Sequence, residues 1–463
     1  MGSSGFTAQQ PLIVLLLAVI VAGIFALLAG FIVTSLQGFG QTAGIETPNA
    51  EISAETPPTR TPAPTATPAT TPVPKEGIWS QVRAARLFDQ IAHQVETQRA
   101  LSPKTEVPLS FLDEEALPSV LRQLYEQRDV ASEILPYTAL GLVPSGPVTI
   151  DARATAGVYV PEHEQLYVAT DQPEGDGDAQ TVLAHAYVHA LQDQHFDLEG
   201  LSDRARTVDE RLAIEALVGG DAILSTALYR HGTLSSADWT WLTDLVMATE
   251  EPQYGGTVAN SEAWRRLAHF PHQEGRDFVE VVFEAGGWEA INQAYSDPPR
   301  TTEQVLHPAR YLERRDEPTE VIVPNLGHVL GEEWRIVVDE TMGELVAGLY
   351  LSEELPEETS WRAAEGWDGD TFVVWERETG RRLLVWRTVW DSSVDAREFA
   401  RGLNTFIRER HFPARPMDPP RGLAGDWWET GAGTFQVDRT GRYVTLMQAP
   451  DTNTAVNVAR VVP

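Results

Sequence analysis

His185 and His189 stand four residues apart in the run Thr181-Val-Leu-Ala-His-Ala-Tyr-Val-His-Ala-Leu-Gln-Asp-Gln-His195. In a helix that spacing sends both imidazoles from one face, one turn apart, where their nitrogens can share a single cation such as zinc. Hydrolysis at such a centre also needs a carboxylate beside the metal, to take a proton from the bound water. The residue after the first histidine would supply it, and here it is Ala186. A methyl group can neither accept a proton nor return one. The spacing predicts a metal-binding scaffold without its general base.

The elements that must position these residues follow from local pattern. Glu174-Gly-Asp-Gly-Asp178 supplies the acidic and small residues that start the histidine helix. Gly157 to Val168 reads as a hairpin turning at Pro161 to Glu164, and Val148-Thr-Ile150 as a strand. Upstream, Val82, Ala85, Leu87, Ile91 and Val95 have helical spacing across Trp79 to Thr97. A second helix is predicted over Ser110 to Asp129, opened by the capping-box pattern Ser110-Phe-Leu-Asp113. Downstream, helices are predicted over Val208 to Arg230, Ala237 to Ala248, Asn260 to Leu267, Gly275 to Ala285 and Trp288 to Tyr295.

Beyond Asp316 the pattern becomes β-rich, with strands at Trp334 to Val338, Thr371 to Trp375, Arg382 to Trp386, Thr434 to Val437 and Tyr443 to Leu446. Helices at Met342 to Leu351 and Val394 to Arg408 interrupt them. The expected fold class is α+β, with an antiparallel sheet in the C-terminal part.

The chain has 463 residues, 42% of them hydrophobic, enough for a sizeable core. Its formal charge of −32 argues against nucleic acid or anionic lipid headgroups as the main partner. It has no cysteine, which excludes disulfides, thiolate metal sites and thiol catalysis. Pro11 to Leu36 is apolar and uncharged. At ~1.5 Å per residue that stretch reaches about 39 Å, enough to cross a ~30 Å hydrocarbon core with some tilt. A cleavable signal would have a shorter apolar region and a basic start. An uncleaved single-pass anchor is therefore expected.

Ala18, Ala22, Ala26 and Gly30 recur along that anchor as a small-residue stripe, either a helix contact or ordinary membrane composition. Residues 37–77 are rich in Pro, Thr and Ala and read as an extended stalk. A stalk of this kind places the large C-terminal part outside the cytoplasm. The expected organisation is a tail at 1–10, the anchor at 11–36, the stalk at 37–77, a histidine-bearing domain at 78–316 and an α+β domain at 317–463.

The strings His185-Ala-Tyr-Val-His-Ala-Leu-Gln-Asp-Gln-His-Phe-Asp-Leu198 and Ala216-Leu-Val-Gly-Gly-Asp-Ala222 carry a resemblance. With Gly157-Val-Tyr-Val-Pro161, Thr302-Glu-Gln-Val-Leu-His-Pro308 and Trp390-Asp-Ser-Ser-Val-Asp-Ala396, they make the chain similar to bacterial membrane-anchored, gluzincin-type zinc metallopeptidases. Members carry H-E-x-x-H followed by A-L-V-E-G-D-A. The resemblance implies a zincin-like domain in which His185 and His189 are zinc ligands. It also implies that Ala186 replaces the general base and that Gly219 replaces the glutamate expected as third ligand.

Both departures remove a carboxylate. Two neutral imidazoles alone make a weak, exchangeable site, so no tightly held zinc is expected. Glu215, Asp221 and His195 are the nearest substitutes. Glu215 lies one turn from position 219, and His195 points about 80° away from His185 on an ideal helix. Glu303 and His307 also stand four apart, lining the same cleft or forming a helix-end ion pair. Trp367, Trp390, Trp427 and Trp428 read as core and loop anchors.

The function expected from all this is that of a membrane-anchored extracytoplasmic pseudo-metallopeptidase. Its retained cleft would bind a polypeptide or assemble with a membrane protein. The alternative is an active zinc metallopeptidase with an unusual base and third ligand.

Overall fold

Helix α1, Gln81–Arg99, forms where the sequence predicts one, but its buried stripe is Ala84, Phe88, Ile91 and Val95; of the expected positions Ile91 and Val95 join it, Ala85 and Leu87 are half-buried and Val82 is exposed. It opens the part of the chain that the computed structural model describes: residues 81–462 apart from 114–115, 127–128, 147, 152–155, 171–175, 251–252, 257 and 259–260. The anchor expected at 11–36 and the stalk at 37–77 lie outside the described residues.

The next element corrects the sequence reading. Leu109–Leu112 is strand β1, not the first turn of a helix, and helix α2 occupies Ala116–Glu126. Ser110 and Asp113 mimic a capping box, but Leu109-Ser-Phe-Leu pairs in parallel with residues 166–169. Asp113 is the cap itself: its Oδ1 accepts the N–H of Ala116 at 2.8 Å. Helix α3, Val130–Leu140, had no counterpart in the sequence reading.

Strand β2, Val148–Asp151, precedes the expected hairpin of β3, Gly157–Val160, and β4, Gln165–Ala169, joined by a 3₁₀ turn at Pro161–His163. The three-stranded sheet has the order β1-β4-β3. Against it packs α4, Gly177–Phe196, the histidine helix. Asp176 caps it, accepting from Asp178 N and Ala179 N. Gly157 sits so close to α4 that a Cβ there would stand 2.4 Å from Leu183 Cδ2.

A short α5, Leu198–Ser202, leads to α6, Val208–His231. Among the described residues α6 is the helix long and apolar enough to cross a membrane, yet 78% of its apolar window is buried inside the fold. It is a core helix. Helix α7, Trp239–Glu250, is followed by β5, Gln253–Gly256, which pairs with β2. Helix α8 covers Glu262–His269 and α9 covers Glu274–Ser296, the latter broken at Gly286 and Gly287 where the sequence predicts a gap between two helices. Short helices α10, Thr302–Leu306, α11, Pro308–Leu312, and α12, Gly327–Leu330, complete this part.

The remainder is one seven-stranded antiparallel sheet. Its elements are β6 (Trp334–Glu340), α13 (Gly343–Ser352), α14 (Glu357–Ala364), β7 (Trp367–Arg377), β8 (Arg382–Trp390) and α15 (Ser393–Arg410). They continue with β9 (Arg415–Met417), β10 (Asp426–Thr430), β11 (Gly433–Thr440), β12 (Tyr443–Ala449) and α16 (Thr452–Ala459). The strand order is β6-β7-β8-β12-β11-β10-β9.

Alternation along the strands serves two faces. Phe372, Val374, Leu384 and Trp386 join the main core with Phe399 and Leu403 of α15. Val373, Trp375, Leu383 and Val385 pack with Leu330 of α12 and Val458 of α16. The main core also takes in Leu217 and Phe278 from α6 and α9, so it runs without a break across residue 316. The described chain is α+β, with its antiparallel sheet toward the C-terminus.

Candidate functional site

Helix α4 brings His185 and His189 together, with ring centroids 4.9 Å apart and planes at 87°. Each ring is held through Nδ1. His185 Nδ1 lies 2.9 Å from Thr226 Oγ1, and that hydroxyl spends its one proton on Ala222 O at 2.7 Å. Thr226 can therefore only accept, and the His185 proton sits on Nδ1. His189 Nδ1 donates to Gln192 Oε1 at 2.8 Å. The Gln192 amide is oriented by giving its own hydrogens to Val218 O at 3.1 Å and Asp221 Oδ2 at 3.0 Å. In their neutral forms both rings thus carry the ligating lone pair on Nε2, the arrangement that metal-binding histidines adopt.

Behind Gln192 lies a buried ion pair that spacing could not reveal. Asp221 receives Arg99 Nε at 2.8 Å and Arg99 Nη2 at 3.0 Å. Tyr295 Oη at 2.8 Å and Ser225 Oγ at 3.2 Å also donate to it. Arg99 gives a further hydrogen bond to Asn292 Oδ1 and lies 4.4 Å from the centroid of the Trp288 ring. Arg99 and Asp221 are both fully buried. With Gln192 included, donors occupy both oxygens of Asp221. It holds the framework of the histidine helix and is not placed as a substitute ligand.

The other expected positions resolve differently. Ala186 is fully buried in an apolar cluster with Val182, Leu183, Ala190 and Ala222. Gly219 is covered: a Cβ there would stand 3.0 Å from both Pro271 Cβ and Pro271 O. The cause is the packing of α6 on α9. Gly220 and Gly275 let the two backbones touch, since a Cβ on Gly220 would lie 2.1 Å from Gly275 O. This presses the Pro271–His272 turn that precedes α9 onto Gly219. The same turn lays the His272 ring, 5% exposed, 6.2 Å from the His185 ring. Sequence reasoning missed His272, which has no periodic relation to the histidine helix. His269, one turn earlier, is pushed below its ordinary pKa by burial and by the nearby His272.

Of the remaining substitutes, Glu215 is exposed in a cleft. His195 Nε2 is 2.8 Å from Ser102 O. Asp193 accepts Tyr159 Oη at 2.6 Å and Leu198 N at 3.0 Å, while Gln194 bridges the backbone of Lys104 and Thr105. Trp367, Trp390 and Trp427 are buried, and Trp428 donates to Asn404 Oδ1 at 2.8 Å.

Glu303 and His307 do not join the histidines. His307 Nε2 meets Glu344 Oε1 at 2.9 Å, and Glu303 Oε1 lies 3.1 Å from Arg310 Nη1. Burial, followed by the charge of Glu344, pushes Glu303 up to about 9, and burial also raises Glu344. The hydrogen bond to Glu344 raises His307. Glu303, Asp316 and Asp391 are the three-residue set among the described residues whose ligand atoms lie within 4.8 Å of one another. Their cation is already present. Arg310 pairs with Asp316 and Asp391 at 2.5 and 2.6 Å as well as with Glu303. At His185, His189 and His272 the described side chains do not close to that distance, and position 219 offers no donor. Among the described residues no third His, Asp or Glu ligand atom gathers with those of His185 and His189 within that distance.

Against known proteins, residues 334–459 match a family described as a domain of unknown function (DUF8575). No curated protein and no solved structure matches the chain. The matched region runs from β6 through α16 and leaves the histidine helix outside it. In this chain the matched residues form the seven-stranded sheet with α13, α14, α15 and α16.

Proposed function

We propose that this protein is a non-hydrolytic relative of the gluzincin-type metallopeptidases, tethered to a membrane by residues 11–36 and holding a polypeptide in a retained cleft outside the cytoplasm. The observation that carries the reading is Ala186, a methyl packed among apolar side chains at the position where a base would have to face the metal-bound water. A positioned base contributes about 10²–10⁴-fold. The covered Gly219 supports it further, because the third donor has been exchanged for contact with Pro271. Catalytic groups are often dispensable for folding, so such a cleft can outlast its chemistry.

The test is hydrolysis of a mixed peptide library by the full chain with added zinc, with and without a chelator. No chelator-sensitive cleavage is expected. Cleavage lost in both His185→Ala and His189→Ala variants would overturn the reading. The second reading, a working metallopeptidase with an unusual ligand set, draws on the fixed Nδ1–H tautomers and on His272 beside His185. It predicts that cleavage and its loss in His272→Ala.

A further inference from the structure

A cleft of about 590 Å³ opens beside the histidine framework, between α3, α6, α8 and the end of β6. Pro271, which covers Gly219, is part of its wall, and Glu215, one turn before Gly219 on α6, lines it. Two features define what it would accept. The first is charge: Glu133, Glu215 and Glu340 line the cleft against the one cation Arg211. The second is an aromatic corner, in which Tyr137 and Trp264 meet edge to face with centroids 6.0 Å apart.

Acidic groups outnumber basic ones along the cleft wall. Burial raises the Glu340 carboxyl, and Tyr137 is raised by burial and then by the charge of Glu215. Glu340 is fixed in place, accepting Val208 N at 3.0 Å. The walls mix apolar residues such as Pro136, Leu212 and Leu267 with these acids, so a side chain entering the cleft meets both kinds of surface.

We propose that this cleft receives the cationic side chain, arginine or lysine, of a bound polypeptide. Its aliphatic stem lies across Tyr137 and Trp264, and its charge is directed at Glu215 and Glu340. The stem gains apolar burial and the cation gains the ring faces as well as the carboxylates. A neutral side chain of the same shape keeps the first gain and loses the second. An acidic one is repelled. The inference rests on the polypeptide-binding reading above and names the side chain that the cleft selects.

The experiment is isothermal titration of the full chain in detergent micelles with three alanine-based octapeptides, centred on arginine, citrulline or glutamate. The arginine peptide is expected to bind about tenfold more tightly than the citrulline one, a margin of roughly one partly screened charge contact. That margin should shrink in 0.5 M salt and vanish in Glu215→Gln/Glu340→Gln. Glutamine keeps an acceptor for Val208 N, and the single Glu215→Gln change at an exposed position serves as a milder control. Equal affinity for arginine and citrulline, or an arginine preference that survives the double substitution, overturns the inference and leaves polypeptide binding standing. Failure of all three peptides to bind overturns both.

Discussion

Adding one methyl group at each of two adjacent glycines tests how tightly α6 is packed at positions 219 and 220. In a helix interior Gly→Ala is worth about 1 kcal/mol in favour of folding. Steric contact opposes it. At Gly220 the new Cβ would lie 2.1 Å from Gly275 O and 2.4 Å from Gly275 C, both backbone atoms of α9. The helices would have to part by roughly 1 Å, which overpacking data put at 1–3 kcal/mol or more. At Gly219 the contacts are 3.0 Å to Pro271 Cβ and O, so a shift of a few tenths of an ångström suffices.

With a clash this deep placed at the upper end, about 3 kcal/mol, and about 1 kcal/mol of propensity offsetting it, Gly220→Ala is expected to destabilise by about 2 kcal/mol net, and Gly219→Ala to stay within about 1 kcal/mol of the parent. Gly219→Glu carries a longer chain into the same contact. It must move the Pro271–His272 turn, so about 2–3 kcal/mol is expected. Urea unfolding followed by circular dichroism reads all three. Should Gly220→Ala prove as stable as the parent, the backbone contact between α6 and α9 is not what sets this geometry. Should Gly219→Glu cost nothing, Pro271 does not close the position.

Removing the charge of Asp221 by Asp221→Asn leaves the Arg99 guanidinium buried without its anion, and a loss of about 3–5 kcal/mol is expected in urea unfolding; a loss under 1 kcal/mol would show the pair to be incidental. Ala186→Glu puts a carboxylate into an apolar cluster, so it should destabilise the metal-free chain by about 2 kcal/mol or more; a neutral result would mean that room for the base had been kept. Asp209 supplies the pH test. Burial holds it up at about 8, against the opposing hydrogen bonds from Thr302 N and Oγ1, while the unfolded carboxyl titrates near 3.8. Between those values the folded state keeps a proton that the unfolded chain has lost, so stability falls as pH rises through that window and levels off above it. Asp370, raised to about 6, acts with the same sign over a narrower range. Asp209→Asn should flatten the decline measured between pH 5 and 8, and an unchanged slope would refute the assignment.

What the sequence made legible was local. The histidine helix could be read because the acidic run around Asp176 starts it and His185 and His189 have helical spacing. The hairpin ending at Val168 declared its turn through Pro161, and Gly286-Gly287 marked the break in α9. Short or polar elements were not legible: β9, β10, α14 and α16 take their identity from the sheet they complete. Ser110 was misread because a capping pattern and an alternating strand pattern overlap there, and pairing with β4 decided between them.

The candidate site was half visible. His185 and His189 come from one helix, but Arg99, Asp221 and His272 meet through chain separations that no local window spans. The covering of Gly219 by Pro271 was equally hidden, since it follows from a glycine-to-glycine crossing of two helices.

Helix α13 has one further consequence. Every residue from Gly343 to Leu351 is buried, so this segment has no outward side. It is a shared partition, with α6 and α10 on one side and the sheet on the other. Sliding the C-terminal sheet past the histidine-bearing helices would strip solvent-averse surface from that partition whichever half it followed. The histidine-bearing helices and the sheet thus share one buried segment, so a substitution that loosens it disturbs the packing on both sides.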